Sequence, residues 1–376
     1  LFPGDGLEAV AFLACGRAAG SDRHRLVVRF VHLVPRTRQR TKTKHTSTCG
    51  EPQPILLCQK LGYYNKLCAQ LSPNDPTMTV FTDLAPILHT HLDISHSTNS
   101  QLIDWIVLSH KEQADLSHRR PHYRRPHLLT ADTQTGGRGQ HGRSWQSPLG
   151  NVYLSLYLPT SQFALPDVVQ LSQRLDGRLS LCVGYQLSQM AITQQINQQR
   201  AEHHLDPIGV KWVNDVGFYQ GYTFQKLAGI LIEPVTVAGQ ILGVVVGVGI
   251  NISHAPLLTS QTQEGLNYQA ISLQDLAPSA LVADTFYQPV QNAIVQAIQQ
   301  FNGFALEYHV EQFLQDYAKA DVLAGKALQV KLPMTDKPPI DGVAYGIDRN
   351  GSLQIRQNDG TILPVWTGTI HLQDLY

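Results

Sequence analysis

Four short segments of this 376-residue chain carry residue types suited to chemistry on an anionic molecule. The first is a loop, Gln134-Thr-Gly-Gly-Arg-Gly-Gln-His-Gly-Arg-Ser-Trp145. Its glycines at 136, 137, 139 and 142 let the backbone approach a ligand closely and adopt positive φ. Arg138 and Arg143 stand among them, and backbone N–H groups combined with guanidinium forks suit phosphate or carboxylate oxygens. The loop lacks the closing Gly-Lys-Ser/Thr of a P-loop, and a plain surface turn can have the same composition. Trp145 reads more readily as a core or lid contact than as a cation platform.

The second segment is Val210-Lys-Trp-Val-Asn-Asp215. Two charges and an amide at the end of an apolar strand are costly if buried unpaired. A Lys211–Asp215 pair would resolve the cost, and so would a site for an ionic ligand and its metal; composition leaves both open. The third is Gln225-Lys-Leu-Ala-Gly-Ile-Leu-Ile-Glu233, with Lys226 at the start of a buried strand. A lysine there can aim its ammonium at a carboxylate or phosphate as that charge changes, or simply snorkel at a strand end. In the fourth, Gly247-Val-Gly-Ile-Asn251, glycines within a strand mark close approach by a ligand or another backbone.

These segments need elements to position them. Ser97-Thr98-Asn99-Ser100-Gln101 precedes Leu102, Ile103, Trp105, Ile106 and Val107, which predicts a helix start with Thr98 and Gln101 at capping-box spacing. Leu128–Ala131 reads as a strand leading into the glycine loop. Residues 151–158 alternate at period two, which predicts a half-buried strand. Helical spacing runs through 166–199 and 289–317, and the β-branched runs 227–233 and 244–250 predict buried strands. After Asp321, short strands at 327–332, 341–347, 352–356 and 362–366 are separated by turn signals, which predicts a small β-barrel or sandwich.

Composition bounds the class. A hydrophobic content of 43% with 15% charged residues describes a globular chain, and a net charge of zero gives no overall pull toward nucleic acid or membrane. No apolar run has the length of a membrane span, and no positive charge precedes the mildly apolar start at Leu7, so a cytoplasmic location without a signal peptide is expected. The five cysteines lack zinc-site clustering and read as free thiols. Residues 1–75 carry eleven Lys/Arg against five Asp/Glu, and the stretch 35–44 reads as a disordered basic arm. It could draw phosphates, or be an unselected solvated tail.

In order, the motifs ST-N, Q-x-x-GRG-x-x-GR-x-W-x-SP, N-x-YLS, KW-x-ND, KLAGIL-x-E and G-x-GIN resemble the motif series of the biotin protein ligases, over about residues 85 to 376. The resemblance implies an α+β fold: a catalytic domain similar to class II aminoacyl-tRNA synthetases, with a mixed sheet and helices, over residues 79–320, and an SH3-like barrel over 321–376, after an atypical basic extension at 1–78. It implies that biotin and ATP, with Mg2+, form biotinyl-5′-AMP, and that biotin then passes to a lysine of a biotin carboxyl carrier protein. Ser97, Thr98, Asn99, Gln134, Arg138, Gly139, Gln140 and Lys226 would then contact biotin. Arg138, Arg143, Trp145, Lys211, Asn214 and Asn251 would serve ATP and the adenylate, and Lys226, Arg138, Lys211 and Asp215 the chemistry, with Asp215 orienting the acceptor amine. The protein would fix no metal itself, Mg2+ arriving with ATP near Asp215. A homodimer stays open, and neither a membrane nor a nucleic-acid partner is expected.

The chain departs from the family pattern at some positions. Gln140 and His141 stand where arginine is common, Val213 where proline is common, His96 where an acid precedes ST-N, and Thr369 where an acid is often found. Loss of an arginine at 140 predicts faster release of the adenylate. The first 75 residues show no helix-turn-helix pattern, so a ligase without a repressor domain is expected. Two other readings compete: a lipoate or octanoate ligase, against which the GRG-x-x-GR loop argues, and a nucleic-acid-binding regulator built on the basic segments.

Overall fold

The computed structural model describes residues 12–15, 26–29, 86–111, 122–163, 175–256, 268–277, 279–333 and 338–373. The basic arm at 35–44 lies outside them. The chain divides into two compact units, Leu1–Asp83 and Leu84–Tyr376. In the first, β1 (Phe12–Cys15) pairs antiparallel with β2 (Leu26–Arg29).

The second unit is built on a mixed sheet. Its strands are β3 (Leu88–Ser95), β4 (His127–Gln134), β5 (Val152–Pro159), β6 (Gly209–Lys211), β7 (Asp215–Gln220), β8 (Thr223–Val237), β9 (Gln240–Ile250) and β10 (Tyr268–Ala270). The order is β3-β4-β5-β9-β8-β7-β6, with β10 added in parallel to β8. Helix α1 (Thr98–Lys111) follows β3, and α2 (Gly177–Ser188) and α3 (Ala191–Glu202) follow β5. Helices α4 (Tyr287–Gly303) and α5 (Glu307–Ala318) lead to five antiparallel strands: β11 (Ala327–Lys331), β12 (Ile340–Ile347), β13 (Leu353–Arg356), β14 (Ile362–Val365) and β15 (Thr369–Leu372). Their order is β14-β13-β12-β11-β15.

Strand parity explains the layers. Leu154, Leu156 and Leu158 of β5 and Val244, Val246 and Val248 of β9 join one large core with Leu179, Val183, Ile294 and Ile298 of α2 and α4. Tyr157 and Val245, on the other face, pack in a smaller core with Leu102 and Ile106 of α1. Successive strand residues point to opposite faces, and here both faces are covered. The period-two segment at 151–158 is therefore not half-buried as expected: all of Val152–Pro159 is buried. The alternation of Leu with Tyr and Ser distinguishes two interiors, not inside from water.

Other expectations change in detail. The 166–199 segment, where described, holds two helices that break at Gln189 and Met190, and the 289–317 segment breaks between Gly303 and Glu307. Lys226 lies inside the fifteen-residue β8, not at its start. Strand β15 was not foreseen; it pairs with β11 and leaves that strand in the middle of the C-terminal sheet. The described residues contain no helix long and apolar enough to cross a membrane.

Candidate active site

The cleft lies on the α1 face of the sheet, and glycine parity opens it. Gly247 and Gly249 fall on the same side of β9 as Val245, while their valine neighbours enter the large core. Gly249 is opposite Gly229 of β8, and Gly247 is opposite Ser155 of β5. A Cβ at Gly247 would lie 2.1 Å from Asn99 Oδ1, and one at Gly249 would lie 2.7 Å from the Trp145 indole. Backbone without side chains thus makes room for groups from α1 and the glycine loop.

The first turn of α1 forms one wall. Ser97 begins the helix: its C=O accepts from Gln101 N–H at 2.9 Å and its Oγ from Ser100 N–H at 3.4 Å. The cap is thus Ser97, one residue before the Thr98 that the spacing suggested. Thr98 is engaged elsewhere, since Gln134 Oε1 accepts from its N–H at 2.8 Å and its Oγ1 at 3.2 Å. Gln134 so satisfies one of the N–H groups that a helix start leaves unpaired. Its Nε2 donates to Ser147 Oγ at 2.9 Å. Asn99 is held on three sides: Nδ2 donates to Leu231 O (3.1 Å) and Glu233 Oε2 (2.9 Å), and Oδ1 accepts from Ser155 Oγ (2.5 Å).

The glycine loop folds back as a small hairpin. Arg138 and Ser144 form an antiparallel bridge, Gly139 N–H donates to Arg143 O at 2.7 Å, and Trp145 N–H donates to Gly137 O at 2.8 Å. The turn at Gln140–Gly142 requires positive φ at His141 (56°) and Gly142 (76°). Arg138 reaches across the cleft to Glu233, Nη2 to Oε2 at 2.5 Å. Trp145 lies over the Gly229 and Gly249 backbone, with Lys226 Nζ 5.4 Å from its ring.

A one-residue irregularity places the lysine. Asp215 pairs with Gly229 and Val216 with Ala228, but Gly217 pairs with Lys226, so Leu227 is an extra residue in β8. A regular ladder would put Lys226 and Asp215 on opposite faces; the bulge brings them to the same one. Lys226 Nζ lies 2.7 Å from Asp215 Oδ1, and Tyr268 Oη donates to Asp215 Oδ2. Lys211, one of the two ways left open for resolving the charge of Asp215, faces it in register across β6 and β7, and its ammonium lies over the rings of Tyr268 (4.5 Å) and Phe224 (4.9 Å).

These groups surround a cavity of about 400 Å³. Ser97, Thr98, Asn99, Gln134, Arg138, Gly139, Gln140, Arg143, Trp145, Asn214, Lys226 and Asn251 all line it, whereas Lys211 and Asp215 do not. Asn214 Nδ2 donates to Ile230 O at 3.2 Å. Asn251 is 1% exposed, and its Oδ1 has no hydrogen-bond partner among the described residues. The lining includes Arg138, Arg143 and Lys226 but, among the described residues, no carboxylate. The one group of three metal-capable side chains among the described residues, His91, Asp93 and Asp132, does not line it. Tyr268, Glu233 and Ser155 had no assigned role in the sequence reading. A lone polar residue amid apolar ones could have revealed Ser155; the local sequence around Tyr268 gives no comparable signal.

Residues 106–251 match the biotin/lipoate A/B protein ligase family, and residues 329–372 match the biotin protein ligase C-terminal domain. The bifunctional ligase/repressor BirA of Escherichia coli is 30% identical over 244 residues, 65% of this chain and 65% of that protein, so the chain spans just under two thirds of this relative's length. The biotin–[acetyl-CoA-carboxylase] ligase of Mycobacterium tuberculosis is 29% identical over 250 residues, 65% of this chain and 79% of that protein. A solved structure of the Aquifex aeolicus biotin protein ligase in complex with biotin and ATP shares the fold, with a TM-score of 0.50 at 22% identity over 76% of this chain and 98% of that one. The motif series, the cleft and these matches together place a biotin/lipoate A/B protein ligase family domain at residues 106–251 and a biotin protein ligase C-terminal domain at residues 329–372.

Proposed function

We propose that the chain is an ATP-dependent biotin protein ligase. It joins the biotin carboxylate to the α-phosphate of ATP, releasing pyrophosphate, and then passes biotin to a lysine amine of an acceptor of the biotin carboxyl carrier type, releasing AMP. The observation that carries this reading is the charge of the cavity: among the described residues, the permanently ionised side chains that line it, Arg138, Arg143 and Lys226, are all basic. A carboxylate attacking a phosphate brings two anions together, and fixed cations in a partly dry cleft lower that barrier without reorganising.

The residues divide the work by position. The Ser97–Asn99 turn, braced by Gln134 and Ser155, forms the wall for the uncharged ring system. Lys226, held by Asp215, meets the reacting carboxylate and phosphate. Arg138 and Arg143 on the hairpin cover the other side, and the hairpin shields a mixed anhydride from water. Asn251 Oδ1, a buried acceptor without a partner, suits an N–H donor on the ligand. Among the described residues no carboxylate lines the cavity, and Asp215 is taken up by Lys226 and Tyr268, so these residues do not form a protein-held magnesium site near Asp215. A Mg2+ would be carried by the nucleotide phosphates.

The test is incubation of the full chain with ATP, Mg2+, labelled biotin and a carrier-type acceptor domain. Label on the acceptor lysine is expected. Absence of label, or transfer of labelled lipoate in its place, would overturn the reading.

A further inference from the structure

We propose that Tyr268 is a positioning residue that fixes Lys226 through Asp215, and that Asp215 is an electrostatic anchor, not the proton acceptor of the transfer step. The inference rests on the ligase reading of the cavity.

A carboxylate that acts as a base must reach the incoming amine, and both oxygens of Asp215 already face other groups, Oδ1 in an ion pair without hydrogen-bond geometry and Oδ2 in a hydrogen bond. Oδ1 lies 2.7 Å from Lys226 Nζ, and Oδ2 accepts from Tyr268 Oη. Asp215 is 9% exposed and does not line the cavity, so an acceptor amine in the cleft meets Lys226 before it could meet Asp215.

Tyr268 is placed for the anchoring role by backbone pairing. β10 adds in parallel to β8 with Ala270 opposite Lys226, and Ile271 N–H donates to Lys226 O at 2.9 Å. The strand that carries the phenol is thus registered on the lysine it serves. The ring packs against Phe224 at 5.3 Å, and the ammoniums of Lys226 and Lys211 lie 5.3 Å and 4.5 Å from its centroid. One side chain therefore orients the anion through its hydroxyl and faces both cations with its ring. With Oδ2 fixed, the carboxylate cannot rotate Oδ1 away from Lys226.

The acceptor amine then loses its proton to solvent before it attacks. The new N–C amide bond forms as the C–O bond to the phosphate breaks, and AMP leaves with the electron pair. Tyr268 and Asp215 act on the earlier step, adenylation, where Lys226 meets the two anions.

The experiment uses the full chain as wild type, Tyr268→Phe, Asp215→Asn and the double variant. Single-turnover formation of biotinyl adenylate is measured apart from transfer out of chemically supplied biotinyl adenylate, and thermal midpoints are recorded. Tyr268→Phe keeps the ring and loses the hydroxyl; it is expected to slow the maximal adenylation rate about tenfold, the effect of one hydrogen bond to a charged group. The biotin KM and the transfer rate should stay within about twofold of wild type. The double variant should adenylate no more slowly than Asp215→Asn alone, because the two residues act as one unit. Should a single variant fold poorly, its midpoint will show it, and the transfer arm with Asp215→Asn still decides the role of the carboxylate. Wild-type adenylation in Tyr268→Phe, or loss of transfer from supplied adenylate in Asp215→Asn, overturns the proposal. A wild-type chain that makes no biotinyl adenylate overturns the ligase reading instead.

Discussion

Replacing Gly247 by alanine tests the geometry of the cleft with a single methyl group. An added Cβ would lie 2.1 Å from Asn99 Oδ1, 2.8 Å from its Cγ and 2.9 Å from its Nδ2, so the whole amide must leave. Asn99 cannot swing freely, being 4% exposed and bonded to Leu231 O, Glu233 and Ser155. Loss of those contacts at a net ~1 kcal/mol each gives about 3 kcal/mol, and burial of the new methyl returns about 0.8 kcal/mol. A destabilisation of about 2 kcal/mol lowers Tm by roughly 4–8 °C in a domain of this size. Asn99 also lines the cavity, so under the ligase reading the biotin KM rises as well. The assay is thermal unfolding beside biotin-dependent pyrophosphate release. A Gly247→Ala variant with wild-type Tm and wild-type biotin KM would refute the placement of Asn99 against β9.

Three further outcomes are expected. Gly249→Ala drives a Cβ to 2.7 Å from the Trp145 indole, but that side chain stands on the glycine hairpin and can yield; Tm should hold within about 2–4 °C while the ATP KM rises, and a Tm loss as large as that of Gly247→Ala would contradict this. Gln140→Arg restores a charge to a hairpin that lines the cavity, so labelled biotinyl adenylate should leave the protein more slowly; equal release rates would count against a role for residue 140 in retention. Burial pushes the Asp321 carboxyl from 3.8 up to about 6, and its Oδ2 is buried without a hydrogen-bond partner among the described residues. The folded state then holds its proton more tightly than the unfolded chain, so the stabilisation is complete below about pH 4 and is lost as pH rises through about 6. Asp321→Asn should therefore gain up to about 3 kcal/mol over wild type at pH 7.5 and little at pH 4, as read by urea unfolding; an equal gain at both pH values would contradict the burial of that carboxyl.

Much of the cleft was legible because its signals are local. The glycine and arginine loop, the Ser97–Asn99 turn, Lys226 and Asn251 all line one cavity; the loop and Lys226 stood out by residue type, while the turn read as a helix start and its ligand role, like that of Asn251, was implied by the resemblance. Gly247 and Gly249 were legible as a close approach, although not what approaches them. What the sequence left hidden is set across strands. The extra residue at Leu227 turns Lys226 to the face of Asp215, and pairing register is not written in either strand alone. The same limit hid Tyr268, which reaches Asp215 from a separate strand. Burial of β5 on both faces depends on α1 covering the side that period-two patterning assigns to water. The domain boundaries at 78 and 320 remain a proposal.

The most direct test of the central claim is the substrate dependence of adenylation by the full chain. Pyrophosphate release from ATP is measured with biotin, with lipoate, with octanoate and with no acid, in wild type and in Lys226→Met. The account predicts release with biotin alone, lost by at least about a hundredfold in Lys226→Met, where one oxyanion-stabilising contact is removed. Release that is independent of biotin, that prefers lipoate or octanoate, or that survives Lys226→Met unchanged would contradict it.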